Sequence, residues 1–179
     1  GIKSPIYCDN RLILSNIEIR DYIANQMANI ISKSFSDNYI IAGVATGAIA
    51  IGALVAERLK KPYIYVRPNP KGHGLKNQIE GSLPSGSNVI VIEDLISTGM
   101  SSLNAVNAIK AESSSVNAML SIFSYSFDFA NDRFKSEKIN LISLADYNIL
   151  VEIVKEQKII NHDEIEKLQR WREDPEDWM

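Results

Sequence analysis

Two adjacent acids, Glu93 and Asp94, follow the apolar run VIVI, and a small hydroxyl-rich stretch comes next: Ser97, Thr98, Gly99, Met100 and Ser101. Paired carboxylates at the end of a strand can accept hydrogen bonds from a vicinal diol. A turn of this composition that opens a helix offers backbone N–H groups and hydroxyls to a phosphate at the positive helix end, and glycine permits close approach. A second stretch, YVRPNPKGHGLKNQIEG over 65–81, carries Arg67, Lys71, His73 and Lys76 among Pro and Gly residues that oppose regular structure. Such a loop can close cations over a polyphosphate while excluding water. Each piece has a plainer reading, an acidic strand end with a Ser/Thr helix cap and a surface loop with incidental charges; together they describe a sugar-phosphate site. Neither GxxxxGK[ST] nor a strand followed by GxGxxG occurs, which sets aside the P-loop and dinucleotide classes.

Carboxylates reach a ligand this way only if strands end together, so the rest of the chain has to supply a sheet. Short β-branched runs alternate with helical periods: Tyr39 to Gly43 then Ala48 to Lys60, Tyr63 to Val66, Asn88 to Ile92 then Ser102 to Glu112, and Val116 to Ser124. That order reads as βαβ units. The run NVIVI is apolar on both faces, as in a central strand covered on each side, so an α/β fold with a mainly parallel sheet is expected. Ser15 to Ser34 has the period of a rim helix, and Asp146 to Gln157 and Asp163 to Glu173 read as two more. The last is capped by Asn161 or Asp163 and stops before Asp174-Pro175. Trp171 and Trp178 are expected to pack this tail against the domain or a partner subunit.

With 179 residues, 45% of them apolar, one core is expected rather than two. A net charge of −3 argues against a general nucleic-acid or anionic-membrane surface. Cys8 is the only cysteine, which excludes an intrachain disulfide and a thiolate zinc cluster and fits a reducing cytoplasm. No apolar run approaches a membrane span. Cys8 and His162 are read as packing or surface residues.

The string over 89–101, including Leu95 and Ile96, resembles the PRPP (5-phosphoribosyl 1-diphosphate) signature of type I phosphoribosyltransferases. The loop narrows the resemblance to orotate phosphoribosyltransferase, whose mobile loop runs R-x-x-x-K-x-H-G and leads into an N-x-[IL]-x-G-like segment; here these are Arg67, Lys71, His73 and Gly74, then NQIEG. GVATGA over 43–48 resembles the family's pyrophosphate-binding loop, with Ala45, Thr46 and Gly47 offering amides. SPIYCDNR over 4–11 resembles the hood over the pyrimidine, with Tyr7 as its aromatic or as simple core. The implied layout is a small hood with the first helix over 1–35, a core sheet over 36–145 with a mobile loop at 67–80, and a helical tail over 146–179, all one domain.

The resemblance also implies an activity: transfer of phosphoribosyl from PRPP to N1 of orotate, giving orotidine 5'-monophosphate and pyrophosphate. Glu93 and Asp94 would hold the ribose hydroxyls, residues 97–101 the 5'-phosphate, and Arg67, Lys71 and His73 the departing pyrophosphate, with Lys71, His73 and Asp94 in catalytic roles. Mg2+ would be held mainly by PRPP and water. The family's loop reaches into the neighbouring subunit, which implies a homodimer with shared sites. The match has departures: Pro68 and Asn69 replace a second loop lysine, Thr46 stands where some members have lysine, and Tyr125 aligns with an arginine that contacts the orotate carboxylate. The family's lysine upstream of the Ser-Pro motif would precede Gly1. The rivals are a purine-base phosphoribosyltransferase, which would not be expected to have the K-x-H-G loop, and a PRPP-sensing nucleic-acid-binding regulator of the same fold, which would need a basic face.

Overall fold

The computed structural model describes residues 3–69 and 78–175, and it gathers the alternating segments around one six-stranded sheet of order β3-β2-β1-β4-β5-β6. The strands are β1 (Ile40–Val44), β2 (Tyr63–Val66), β3 (Ile79–Glu80), β4 (Asn88–Ile96), β5 (Ser115–Ser124) and β6 (Asn140–Asp146). All neighbours are parallel except β2 and β3. The helices are α1 (Ile17–Ser34), α2 (Ile49–Leu59), α3 (Met100–Ala111), α4 (Asp128–Ser136), α5 (Tyr147–Glu156) and α6 (His162–Glu173), with a 3-10 helix over Asn10–Ser15 ahead of α1.

Alternation along the central strands divides the core. Ile41, Ile90 and Ile92 face α1 and α2, whereas Ala42, Val89 and Val91 face the side closed by α3 and Phe134 of α4. Each such Val or Ile contributes roughly 1.5–3 kcal/mol by burial, which is why β1 and β4 form the rigid middle. From β1 the chain runs outward through β2 to β3, and from β4 outward the other way through β5 to β6. The crevice at the carboxyl ends of β1 and β4 is therefore the switch point, where open α/β sheets bind ligands.

Five features depart from the sequence expectation. β4 runs on to Ile96, so Glu93 and Asp94 are strand residues; these two acids interrupt its apolar run, and apolar pattern alone ends the strand at Ile92. Ile79 and Glu80, expected in the mobile loop, form strand β3 against β2. α4 buries only Ala130 and Phe134, too few to show a helical period. β6 is an edge strand of mostly half-buried residues, so its pattern is weak. The expected first helix begins two residues late, with the Asn16 side chain accepting from the Ile19 N–H. Asn161 rather than Asp163 caps α6, in a capping box with Glu164.

The tail packs on the domain as expected. Trp171 is 1% exposed among Phe123, Tyr125, Phe127 and Tyr147, and its indole N–H donates to the Lys3 carbonyl at 2.8 Å. Trp178 lies outside the described residues.

Candidate active site

At the switch point a cavity of about 360 Å³ opens between two walls. One is built from the sheet: Val44, Ala45, Thr46 and Gly47 after β1, Glu93, Asp94 and Leu95 of β4, and Ser101 in the first turn of α3. The other is the hood, with Tyr7, Cys8, Asp9 and Arg11. A groove of about 580 Å³ between α5 and α6 is larger; the smaller cavity is the candidate because two carboxylates and a helix start converge there.

The two acids are not equivalent. Glu93 is 5% exposed; its Oε2 accepts from the buried Ser102 hydroxyl at 2.9 Å and its Oε1 from the Asp94 N–H at 3.0 Å. Burial first, then the neighbouring Asp94, raises the pKa of Glu93 well above the ordinary carboxylate range, while the Ser102 hydrogen bond acts the other way. Asp94 is half-buried and faces the crevice beside Gly47. A Cβ built on Gly47 would lie 2.0 Å from Asp94 Oδ2, so only glycine lets the loop after β1 approach this carboxylate. The Ala45–Thr46 peptide is cis, and the Ala45 N–H donates to the Val66 carbonyl, tying the loop to β2.

Ser97, Thr98 and Gly99 join β4 to α3. Gly99 has φ +77°, and an added Cβ there would meet Phe134 Cε2 at 2.9 Å, so the turn needs glycine on both counts. The first-turn amides of α3, starting at Met100, have no acceptor within the helix and present the positive dipole end beside Asp94. Met100 itself is exposed and Ile96 is fully buried, so the two flank this turn in opposite environments.

The other expected site residues are spread more widely. Tyr7 is 82% exposed on the hood and its hydroxyl accepts from Arg11 Nη2 at 3.3 Å, so it is a lining residue and not core. Arg67 lies at the end of β2, with its guanidinium 3.4 Å from Glu80 and its N–H bonded to the Gln78 carbonyl, outside the cavity lining. Tyr125 is buried behind the lining, stacked on Phe127, with its hydroxyl toward Ser4 and Cys8. Lys71, His73, Gly74 and Lys76 lie outside the described residues.

Several residues at the site were not singled out from the sequence. Asn10 donates from Nδ2 to the Asp94 carbonyl at 2.7 Å and accepts the Cys8 thiol at 3.3 Å, which pins the hood to β4. Arg11 lines the cavity, Ser102 anchors Glu93, and Arg133 of α4 donates to the Thr98 carbonyl at 2.9 Å. The Asp-Asn-Arg run after Tyr7 was the available signal for the first two; the others depend on long-range packing. Cys8, read as a packing or surface residue, does line the cavity, where burial and then Asp94 and Asp9 raise its pKa and disfavour the thiolate.

A carboxylate pair and a helix start at the switch point of such a sheet suit a sugar phosphate, and residues 13–127 match the family described as phosphoribosyl transferase domain, which makes the chain a phosphoribosyltransferase. Over 178 residues the chain is 47% identical to the orotate phosphoribosyltransferase of Phocaeicola vulgatus, covering 99% of this chain and 84% of that one. It is 44% identical to the enzyme of the same name from Lactiplantibacillus plantarum, with the same coverage. The chain belongs to the orotate phosphoribosyltransferase family. The crystal structure of orotate phosphoribosyltransferase from Aeropyrum pernix shares the fold, with a TM-score of 0.72 at 24% identity over 87% of this chain and 85% of that one. Leishmania donovani UMP synthase gives a TM-score of 0.79 at 21% identity, over 95% of this chain and 36% of that one.

Proposed function

We propose that the chain transfers the phosphoribosyl group of PRPP to N1 of orotate, forming orotidine 5'-monophosphate and pyrophosphate in pyrimidine nucleotide synthesis. The observation that carries this reading is that Asp94 and the start of α3 line one cavity beneath the hood. The bond from the anomeric carbon to pyrophosphate breaks as N1, giving up its proton to water, bonds to that carbon through a transition state with oxocarbenium character. The ribose hydroxyls donate to Asp94 and, deeper, to Glu93. Because Glu93 is buried and already accepts two hydrogen bonds, Asp94 carries most of the interaction with developing positive charge. The amides and hydroxyls of 97–101 hold the 5'-phosphate.

Arg67, Lys71 and His73 would stabilise the departing pyrophosphate, with Lys71 or His73 giving it a proton. Among the described residues no three His, Cys, Asp or Glu side chains form a closed metal site. An open cavity with Asp94 on its wall suits Mg2+, a hard cation that keeps water and substrate oxygens as ligands, and Asp94 is the side chain best placed to contact it. When bound, the ion would neutralise charge on the leaving group.

A homodimer with shared sites is part of the same reading. Exposed Leu12, Ile17, Ile19 and Tyr22 give the rim next to the hood an apolar face of the kind a partner covers. A cytoplasmic enzyme agrees with the single, unpaired cysteine, and among the described residues no helix is long and apolar enough to cross a membrane.

The decisive test is spectrophotometric consumption of orotate with PRPP, with and without Mg2+, against adenine, hypoxanthine and xanthine; turnover of a purine in place of orotate overturns the proposal. Mixing Lys71→Ala with Asp94→Asn subunits is expected to restore partial activity, and failure to complement would remove the shared site.

A further inference from the structure

Orotate differs from uracil by one carboxylate, and a site that takes the anionic base must supply a cation, since an unpaired carboxylate loses its hydration on entry. With ribose at Asp94 and phosphate at 97–101, the base can only lie toward the hood, against Tyr7, Cys8 and Arg11. Among the described lining residues the other acid–base side chains, Asp9, Glu93 and Asp94 with Cys8 and Tyr7, can only be neutral or negative, and Arg11 is the single cation. Tyr125 is uncharged and sits behind the lining, where it supports the hood from below.

We propose that Arg11 is the specificity-determining residue that recognises the carboxylate of the pyrimidine, an assignment that rests on the reading of the chain as an orotate transferase. Its guanidinium is oriented in advance. Nε donates to Asp9 Oδ1 at 2.6 Å, and Nη2 donates to Asp9 Oδ2 at 2.9 Å and to the Tyr7 hydroxyl at 3.3 Å. Three of five N–H donors are thereby used, and the two on Nη1 have no partner among the described residues. Asp9 thus fixes the plane of the group, and the Nη1 edge is left for a substrate carboxylate. Asn10, the residue between them, ties this arrangement to the Asp94 carbonyl and so fixes the distance from the carboxylate-binding group to the ribose-binding one.

The test compares Arg11→Gln and Arg11→Lys with the wild type, measuring KM for orotate and for PRPP and the inhibition constant of the 6-carboxamide analogue of uracil, which has the shape of orotate without its charge. Arg11→Gln is expected to raise the orotate KM by about tenfold or more, the loss of one charge-assisted pair. PRPP KM and carboxamide inhibition should stay within about twofold, and Arg11→Lys should fall between. Equal weakening of orotate and carboxamide, or an unchanged orotate KM in folded Arg11→Gln, overturns the assignment. Wild-type protein that forms no orotidine monophosphate defeats the functional reading instead, so the two failures are distinct.

Discussion

The two walls of the cavity are made in different ways. The sheet wall is continuous with the core: Glu93 and Asp94 belong to a strand whose residues from Val89 to Ile92 are almost completely buried and registered against β1, while β5 pairs with β4 from Asn88 to Ile96. The hood wall is a 3-10 helix and an extended lead-in whose 3-10 residues are none of them buried, held by single links such as Asn10 to Asp94 and Trp171 to Lys3. The wall proposed to grip the sugar phosphate has a sheet for its backbone; the wall proposed to meet the base is an attachment fixed by a few side chains. Base recognition can therefore change without rebuilding the phosphoribosyl site.

Four perturbations sharpen or break that contrast. Trp171→Ala removes the largest buried side chain of the cluster under the hood and its bond to Lys3; it should cost about 3–5 kcal/mol in thermal or urea unfolding and raise the orotate KM more than the PRPP KM. Equal loss of both would show that the walls are not separable. Asp94→Asn keeps the shape of the sheet wall, so melting should be nearly unchanged while turnover falls on the order of 10²-fold; normal turnover would remove Asp94 from the chemistry.

A smaller effect is expected at the join. Asn10→Ala leaves the Asp94 carbonyl without its donor, a loss of roughly 1–3 kcal/mol, visible as a higher orotate KM; a change confined to PRPP KM would place the join on the wrong wall. The mildest concerns Glu93. Its folded-state pKa is raised, so the native protein binds this proton more tightly than the unfolded chain, and stability falls as pH rises from the ordinary carboxylate range through the raised value. Glu93→Gln should lessen that fall; an identical pH dependence of melting in wild type and variant would mean that the buried carboxyl is not what the pH acts on.

Legibility from sequence followed burial. NVIVI announced a central strand because both of its faces are apolar, and α1, α2, α5 and α6 showed themselves by period and caps. β6 and α4 did not, since an edge strand and a helix with two buried residues leave little periodic signal. Within the site, the acids and the turn could be read as a string because they are consecutive. Asn10 and Arg11 left only the faint signal of the Asp-Asn-Arg run and Ser102 none, because their significance comes from partners that packing supplies.

The sequence by itself determined the α/β alternation, the adjacency of Glu93 and Asp94, and the glycine that the turn at 99 requires, all consequences of local pattern and backbone sterics. Only the tertiary structure decided that Glu93 is buried against Ser102 while Asp94 faces the cavity, and that a residue 84 positions away, Asn10, holds the Asp94 backbone. The physical reason is range: local propensity fixes which elements form, whereas burial and hydrogen-bond partners depend on which distant segments the core brings to the same crevice.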